Sequence, residues 1–188
     1  MNGRCFALKK LYIFIIIFLI VISAALGAVY QVSFSPSEQI RDYVSSFAAS
    51  IANGVNHKNI FLNSLRDGLL TCAVIFVCGF VRFGFLISLF AAARRCFVAG
   101  FTSAAFICSF KAKGILAAAA IELPFMLSLL PLASLCCVSI IMSLDKERHS
   151  FRSIRSYCLL TIGAMSVFAG SALCEGYCVV WLLSLILN

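Results

Sequence analysis

Charged residues are scarce in this chain, and their scarcity excludes most classes of soluble protein. Of the 188 residues only 12% are Asp, Glu, Lys or Arg, whereas 63% are hydrophobic, and the mean hydropathy is +1.07. Soluble domains are about half apolar and about a quarter charged. The few polar segments leave no room for a separate globular domain, so the composition predicts an integral membrane protein with several spans.

Strict alternation of apolar and polar residues is also lacking, which excludes a membrane β-barrel. Backbone groups in lipid must be hydrogen-bonded within the protein, so only helices or a closed barrel can cross. Barrel strands alternate apolar and polar side chains, whereas the apolar runs of this chain are long and unbroken. We therefore predict an all-α integral membrane protein.

The motifs of membrane and metal-dependent enzymes are missing as well. Zinc proteases need a His-Glu-x-x-His helix, but the two histidines, His57 and His149, fall in predicted loops on opposite sides. A Gly-x-Ser-x-Gly nucleophile elbow does not occur. Most of the ten cysteines lie within apolar runs, where Cys behaves as a small apolar residue. We expect no enzymatic activity, no metal and no cofactor.

Basic residues outnumber acidic ones by 15 to 7. In a soluble protein this excess would suggest nucleic acid, but here the Lys and Arg residues flank the apolar runs and set their orientation. We expect membrane lipid as the surroundings and no nucleic-acid partner. The distribution places the N-terminus in the cytoplasm and the C-terminus outside it.

About five apolar runs are long enough to cross a hydrocarbon core of ~30 Å. They cover about residues 11–29, 60–81, 83–110, 114–144 and 157–187. The first run has two interpretations, a cleaved signal peptide ending near Ser23-Ala24-Ala25 or a retained span, and the spans that follow favour retention. Residues 1–188 are thus interpreted as one polytopic membrane domain.

The outer segment, residues 30–59, predicts an extracytoplasmic amphipathic helix. Ser35, Pro36 and Glu38 have the spacing of a helix start. Apolar residues then recur at helical spacing, namely Ile40, Val44, Phe47, Ile51 and Val55. One interpretation is that this apolar face lies on the bilayer or caps the bundle. The other is that it binds an extracytoplasmic partner.

Ionisable residues within the predicted spans form a candidate intramembrane polar network, of structural or functional importance. They are Asp67, Arg94, Arg95, Glu122 and Glu175. Arginines near mid-membrane are unfavourable by several kcal/mol unless water or acidic groups reach them. We predict Glu122 as the main partner of Arg94 and Arg95, with Glu175 and Asp67 as alternative partners.

The fourth run contains two prolines, Pro124 and Pro131. Proline removes a backbone donor and clashes with the preceding turn of a helix. We therefore predict a kink or break near Pro124, next to the Glu122 carboxylate.

The order of several segments resembles the stage II sporulation protein M family. After an N-terminal span come QIRDYVSSFAASIANG, FLNSLRDGLL, CFVAGFTSAAFI, the IELP stretch at 121–124 and SALCEGY at 171–177. The resemblance extends over most of the chain, and it rests on order and spacing. Two features depart from the family pattern. Only Gly100 remains clear in a Gly-x-x-x-Gly-like region, and Ala118 to Ala120 replace the Pro-His-Gly element of some relatives.

The resemblance implies a non-catalytic scaffold in the mother-cell membrane at the sporulation septum. Such proteins hold two peptidoglycan hydrolases, stage II sporulation proteins D and P, in a complex that thins the septum and drives engulfment. The residues themselves leave an alternative open. Ionisable groups near helix breaks at the membrane midplane are typical of transport sites, so a small multi-pass transporter, channel or permease-like subunit is the second hypothesis.

Overall fold

The computed structural model describes residues 2–34, 37–52, 57–81, 83–144 and 151–187, and within these ranges the chain is helical and has no strand. The elements are α1 (Asn2–Phe34), α2 (Ser37–Ala52), α3 (His57–Cys78), α4 (Gly84–Leu144), α5 (Phe151–Leu173), a π-helical segment (Cys174–Val179) and α6 (Val180–Leu187). The all-α class predicted from the sequence is confirmed.

In the described part of the chain, four segments are long and apolar enough to cross a membrane. They are Phe14–Ser33, His57–Cys78, Gly84–Ser143 and Ile154–Ile186. Large apolar side chains such as Phe18, Phe90 and Leu130 point outward from these helices, as expected of surfaces that face lipid rather than water. The third segment has 60 residues, about three times the length that one crossing needs, and its backbone shows the reason.

Helix α4 is a hairpin of two arms, which meet at Lys111. This residue has non-helical dihedral angles, φ 51° and ψ −118°. A methyl group placed on Gly114 would lie 2.2 Å from the Phe106 carbonyl oxygen, although eight residues of straight helix span about 12 Å. Farther along, the Ser88 and Ser139 hydroxyls are 2.9 Å apart. The two arms are therefore antiparallel, and they correspond to the predicted spans 83–110 and 114–144.

The prolines do not break the second arm. The backbone stays helical through Pro124 and Pro131, and the residue of α4 with non-helical dihedral angles is Lys111. Of the predicted kink or break near Pro124, the break is therefore wrong. Each proline removes one hydrogen bond, and membrane helices tolerate this loss where neighbouring helices and side chains support the backbone. Such support is present, since Leu132 and Leu135 are fully buried.

Helix α1 packs closely along the first arm of α4. A methyl group on Gly27 would lie 2.1 Å from the Phe97 carbonyl oxygen, and one on Gly100 would lie 2.0 Å from the Ala24 carbonyl oxygen. Small residues allow such backbone contact between membrane helices. Gly100, the clear glycine of the Gly-x-x-x-Gly-like region, therefore lies where two helices approach closely.

Polar contacts hold α3, α4 and α5 together at the end of the bundle opposite α2. The buried Tyr157 hydroxyl donates to the Ile75 carbonyl oxygen at 2.9 Å, and the Tyr157 ring lies 5.1 Å from that of Phe76. The Ser139 hydroxyl donates to the same carbonyl at 3.4 Å. Buried Cys72, Cys96 and Cys136 fill the adjoining core as small apolar residues. This end is closely packed, whereas the bundle opens into a cavity towards α2.

The reversal at Lys111 provides a stability test. A non-glycine residue at positive φ costs about 1–3 kcal/mol, and glycine adopts this conformation freely. We expect Lys111→Gly to raise the free energy of unfolding by about 1 kcal/mol, measured by thermal unfolding in detergent. Lys113→Gly is the matched control, because residue 113 is helical and glycine there lowers stability by about 0.5–1 kcal/mol. Equal losses in both variants would contradict the hairpin.

Candidate functional site

Two arginines of α4 meet one aspartate of α3 in the middle of the bundle. Arg94 Nη2 donates to Asp67 Oδ1 at 2.8 Å, and Arg95 Nη1 lies 3.6 Å from Asp67 Oδ2. The Arg95 guanidinium also stacks over the Phe168 ring of α5, 4.6 Å from its centroid. A single carboxylate therefore balances two cations, and one aromatic face assists it.

Glu122, the predicted main partner of the arginines, does not pair with them, whereas Asp67, one of the two alternative partners, does. Among the described side chains, ion pairs of Arg94 and Arg95 are formed with Asp67. The Ser103 hydroxyl donates to Glu122 Oε1 instead. Ser103 lies about 13 Å from Arg94 along the first arm, at ~1.5 Å per residue. The register of the hairpin thus places Glu122 beside Ser103 and too far along the axis from the arginines.

The second intramembrane glutamate has a similar environment. Glu175 accepts a hydrogen bond from the Ser64 hydroxyl of α3, and no Lys or Arg pairs with it among the described residues. Glu122 and Glu175 are both partly buried. Each carboxylate has a serine donor, so each keeps unused acceptor capacity towards the space in front of it.

All five residues of the predicted polar network border one cavity of about 560 Å³. The residues grouped from the sequence therefore lie close together in the structure, although their ion pairs differ from the predicted main pairing. The other residues that line the cavity are Phe47, Ile60, Asn63, Ser64, Val98, Ala99, Thr102, Ile121, Pro124, Phe125 and Ser171. This volume lies within the range of about 300–1,000 Å³ that is usual for small-molecule sites.

A π-helical segment, Cys174–Val179, carries Glu175 to the cavity wall. Such segments are rare and are frequent at functional sites. His57 Nδ1 donates to the Gly176 carbonyl oxygen at 3.0 Å, and the His57 ring stacks on Tyr177 with centroids 5.7 Å apart. His57 was predicted to lie in a loop. It is instead the first residue of α3, where it is exposed and holds the π-helical segment next to Glu175, while His149 lies outside the described residues.

Helix α2 covers the cavity with its apolar face. Val44 and Ile51 are buried in a cluster with residues of α4 and α6, and Phe47 lines the cavity while its ring packs edge-on against Phe106. Ile40 packs against the same cluster. The interpretation that this face binds a partner is therefore wrong for the four residues described, because the bundle itself covers them. Val55 lies outside the described residues.

The part of the chain that the structure describes contains no candidate metal site. No group of three or more His, Cys, Asp or Glu side chains there has a geometry suited to an ion. The chemistry that the cavity offers is therefore that of its side chains, namely the guanidinium groups that Asp67 pairs with and the carboxylates of Glu122 and Glu175.

Comparison with protein families identifies the family of the chain. The family model described as Stage II sporulation protein M matches residues 13–179, which is most of the chain. The chain belongs to the stage II sporulation protein M family. Membership in the stage II sporulation protein M family makes it a sporulation-related membrane protein, and the matched range contains every residue that lines the cavity. Neither curated proteins nor solved structures give a significant match.

Proposed function

We propose that this protein is a non-catalytic scaffold in the mother-cell membrane at the sporulation septum. In this role it anchors stage II sporulation proteins D and P, the peptidoglycan hydrolases, for septal thinning and engulfment. The family match supports a sporulation role. The described residues lie almost entirely in packed helices, an architecture suited to holding partners in place.

The observation that carries the proposal is the way α2 is fixed on the bundle. Its apolar face is buried against α4 and α6, so its opposite face is presented in a constant orientation. Asp42 and Ser46 on that opposite face are exposed, and Tyr43, four residues before Phe47 and therefore at the edge of the apolar face, is 75% exposed. Exposed tyrosines are frequent anchors of protein interfaces. A rigid surface of this kind loses little conformational freedom when a partner binds.

The α2 surface provides the test of the scaffold. We expect Tyr43→Ala to reduce co-purification of stage II sporulation proteins D and P from sporulating cells by about tenfold, the effect of losing ~1.4 kcal/mol at an interface. Abundance and thermal stability of the variant should match those of the unmodified protein, since Tyr43 is exposed. Phe90→Ala is the matched control, because Phe90 is an exposed aromatic residue on α4.

Unchanged recovery of both hydrolases with Tyr43→Ala and with Tyr43→Asp would contradict a role for this surface. If the unmodified protein also fails to recover either hydrolase, the scaffold proposal itself is wrong. The Phe90→Ala control separates loss of a specific contact from general effects of removing an exposed ring.

The cavity favours a second candidate, a transport or channel subunit. A cavity between membrane helices, bordered by charged residues and a π-helical segment, resembles the sites where transporters hold substrates. Purified protein in liposomes that conducts no ion and moves no small solute would exclude this candidate and leave the scaffold.

A further inference from the structure

The ion pair at the mouth of the cavity is exposed at the depth where lipid would surround it. The Arg94 and Asp67 side chains are 56% and 52% exposed. Asp67 lies about 15 Å from the start of α3, and Arg94 lies about 15 Å from the start of α4, at ~1.5 Å per residue. These positions are near the middle of α3 and of the first arm of α4, so the exposed pair faces sideways. A charge facing hydrocarbon is costly, so a polar group must cover this mouth.

The cavity combines two arginines that share the Asp67 carboxylate with two glutamates that have no such ion pair among the described side chains. Arg94 lies at the mouth and Arg95 behind it, with its side chain 15% exposed. The Arg95 Nη1 atom is buried and makes no hydrogen bond, because its 3.6 Å distance to Asp67 exceeds hydrogen-bonding range. The carboxylates of Glu122 and Glu175 have serine donors but no cation among the described side chains. The cavity thus offers donors for an anion and, separately, acceptors for a cation.

We propose that the cavity binds the headgroup of a zwitterionic phospholipid that carries a primary ammonium group. The phosphate lies against the Arg94 and Arg95 guanidinium groups, whose planar donors suit phosphate oxygens. The ammonium donates hydrogen bonds to the Glu122 and Glu175 carboxylates. The acyl chains leave through the mouth and lie along exposed apolar residues beside it, Leu62, Leu70 and Val98. This arrangement covers the exposed ion pair and places the lipid tails in the bilayer.

A lipid is favoured over a soluble zwitterion because the mouth opens between α3 and the first arm of α4. Asp67 and Asn63 of α3 and Arg94 and Val98 of α4 line the cavity and are exposed. By contrast, α2 covers the cavity at the end of the bundle through Phe47. Lateral access from the bilayer is therefore the more open route. The inference goes beyond the scaffold role and is tested without any protein partner.

The test is native mass spectrometry of the full chain in detergent, titrated with defined lipids. We expect phosphatidylethanolamine to bind about tenfold more tightly than phosphatidylglycerol, which lacks the ammonium. Phosphatidylcholine should resemble phosphatidylglycerol, since its quaternary ammonium cannot donate a hydrogen bond. Equal binding of all three lipids would overturn the proposal. Binding of free phosphoethanolamine without binding of the lipid would also overturn it, because the ligand would then be a soluble molecule rather than a lipid headgroup.

Variants test which residues bind the ammonium group and which bind the phosphate. Glu122→Gln with Glu175→Gln should reduce phosphatidylethanolamine binding to the level of phosphatidylglycerol, and Arg94→Gln should weaken both lipids. Glutamine retains an oxygen that accepts the serine hydrogen bonds, so the glutamate variants are expected to fold, which thermal unfolding checks. Asp42→Asn is the control, because Asp42 is an exposed acid on α2. Unchanged lipid preference in a folded Glu122→Gln, Glu175→Gln protein would contradict the proposal.

Discussion

Replacing Gly100 with leucine is expected to remove nearly all folded protein from the membrane. Even a methyl group at this position would lie 2.0 Å from the Ala24 carbonyl oxygen and 2.8 Å from the Ala24 carbonyl carbon. Both contacts are with backbone, which cannot rotate away as a flexible side chain does. Relief therefore requires α1 to move away from the first arm of α4 along their whole contact, which includes the reciprocal approach of Gly27 to Phe97.

The expected size of this effect follows from the stability of membrane helix contacts. Overpacking a core costs about 1–3 kcal/mol when side chains can adjust, and here the backbone must move. Folded proteins are stable by about 5–15 kcal/mol in total, so a loss of several kcal/mol leaves little native protein. The measurements are the abundance of the variant in membranes and its thermal unfolding in detergent.

Two other glycines are matched controls for Gly100→Leu. Gly163 and Gly170 lie on α5, and a methyl group at either would have no atom within 4 Å. Gly163→Leu and Gly170→Leu are expected to retain normal abundance, since leucine is also a better helix former than glycine. Similar losses in all three variants would show that glycine as a residue type, rather than the α1 contact, is required.

Local features of the sequence predicted the helices well. Apolar runs, the charged residues at their ends and the small residue Gly100 can each be recognised within a short window of sequence. Lys111 and Lys113 separated two predicted spans, and the chain reverses at Lys111 in the structure. The physical reason is that hydrophobic length and charge determine which segments can be membrane helices, whichever neighbours they later contact.

The pairing of the charged residues could not be predicted in the same way. Five ionisable groups lie within the predicted spans, but the partner of each depends on the register and rotation of helices that are distant in sequence. Asp67 on α3 reaches both arginines, while the hairpin register places Glu122 beside Ser103. The π-helical segment at Glu175 is similarly a product of packing, as its carbonyl at Gly176 accepts a hydrogen bond from His57.

The amphipathic helix α2 shows the limit of periodicity. The spacing of Val44, Phe47 and Ile51 correctly predicted one apolar face, because helical period and burial are linked. It did not determine what that face contacts. A bilayer surface, a partner and the end of the same bundle require the same pattern. The structure shows that the face packs on the end of the same bundle. A partner would therefore bind the exposed part of α2 that includes Tyr43.

The second large effect is expected for Asp67→Asn. This substitution leaves Arg94 and Arg95 without the carboxylate that pairs with both. Removing one partner of a buried ion pair costs about 3–5 kcal/mol, and the half-exposed positions of Asp67 and Arg94 reduce this value. Arg95 remains mostly buried, so we expect a loss of about 2 kcal/mol. Thermal unfolding of purified protein in detergent measures it.

Glu122→Gln distinguishes this arrangement from the pairing that the sequence predicted. Glutamine can still accept the hydrogen bond from Ser103, and no cation among the described side chains loses a partner. We expect a change below about 0.5 kcal/mol, the range of substitutions that break no buried network. A larger loss for Glu122→Gln than for Asp67→Asn would restore Glu122 as the counter-charge of the arginines. The expected order instead follows from the register of the α4 hairpin, which brings Arg94 and Arg95 to α3 and leaves the glutamate carboxylates free to face the cavity.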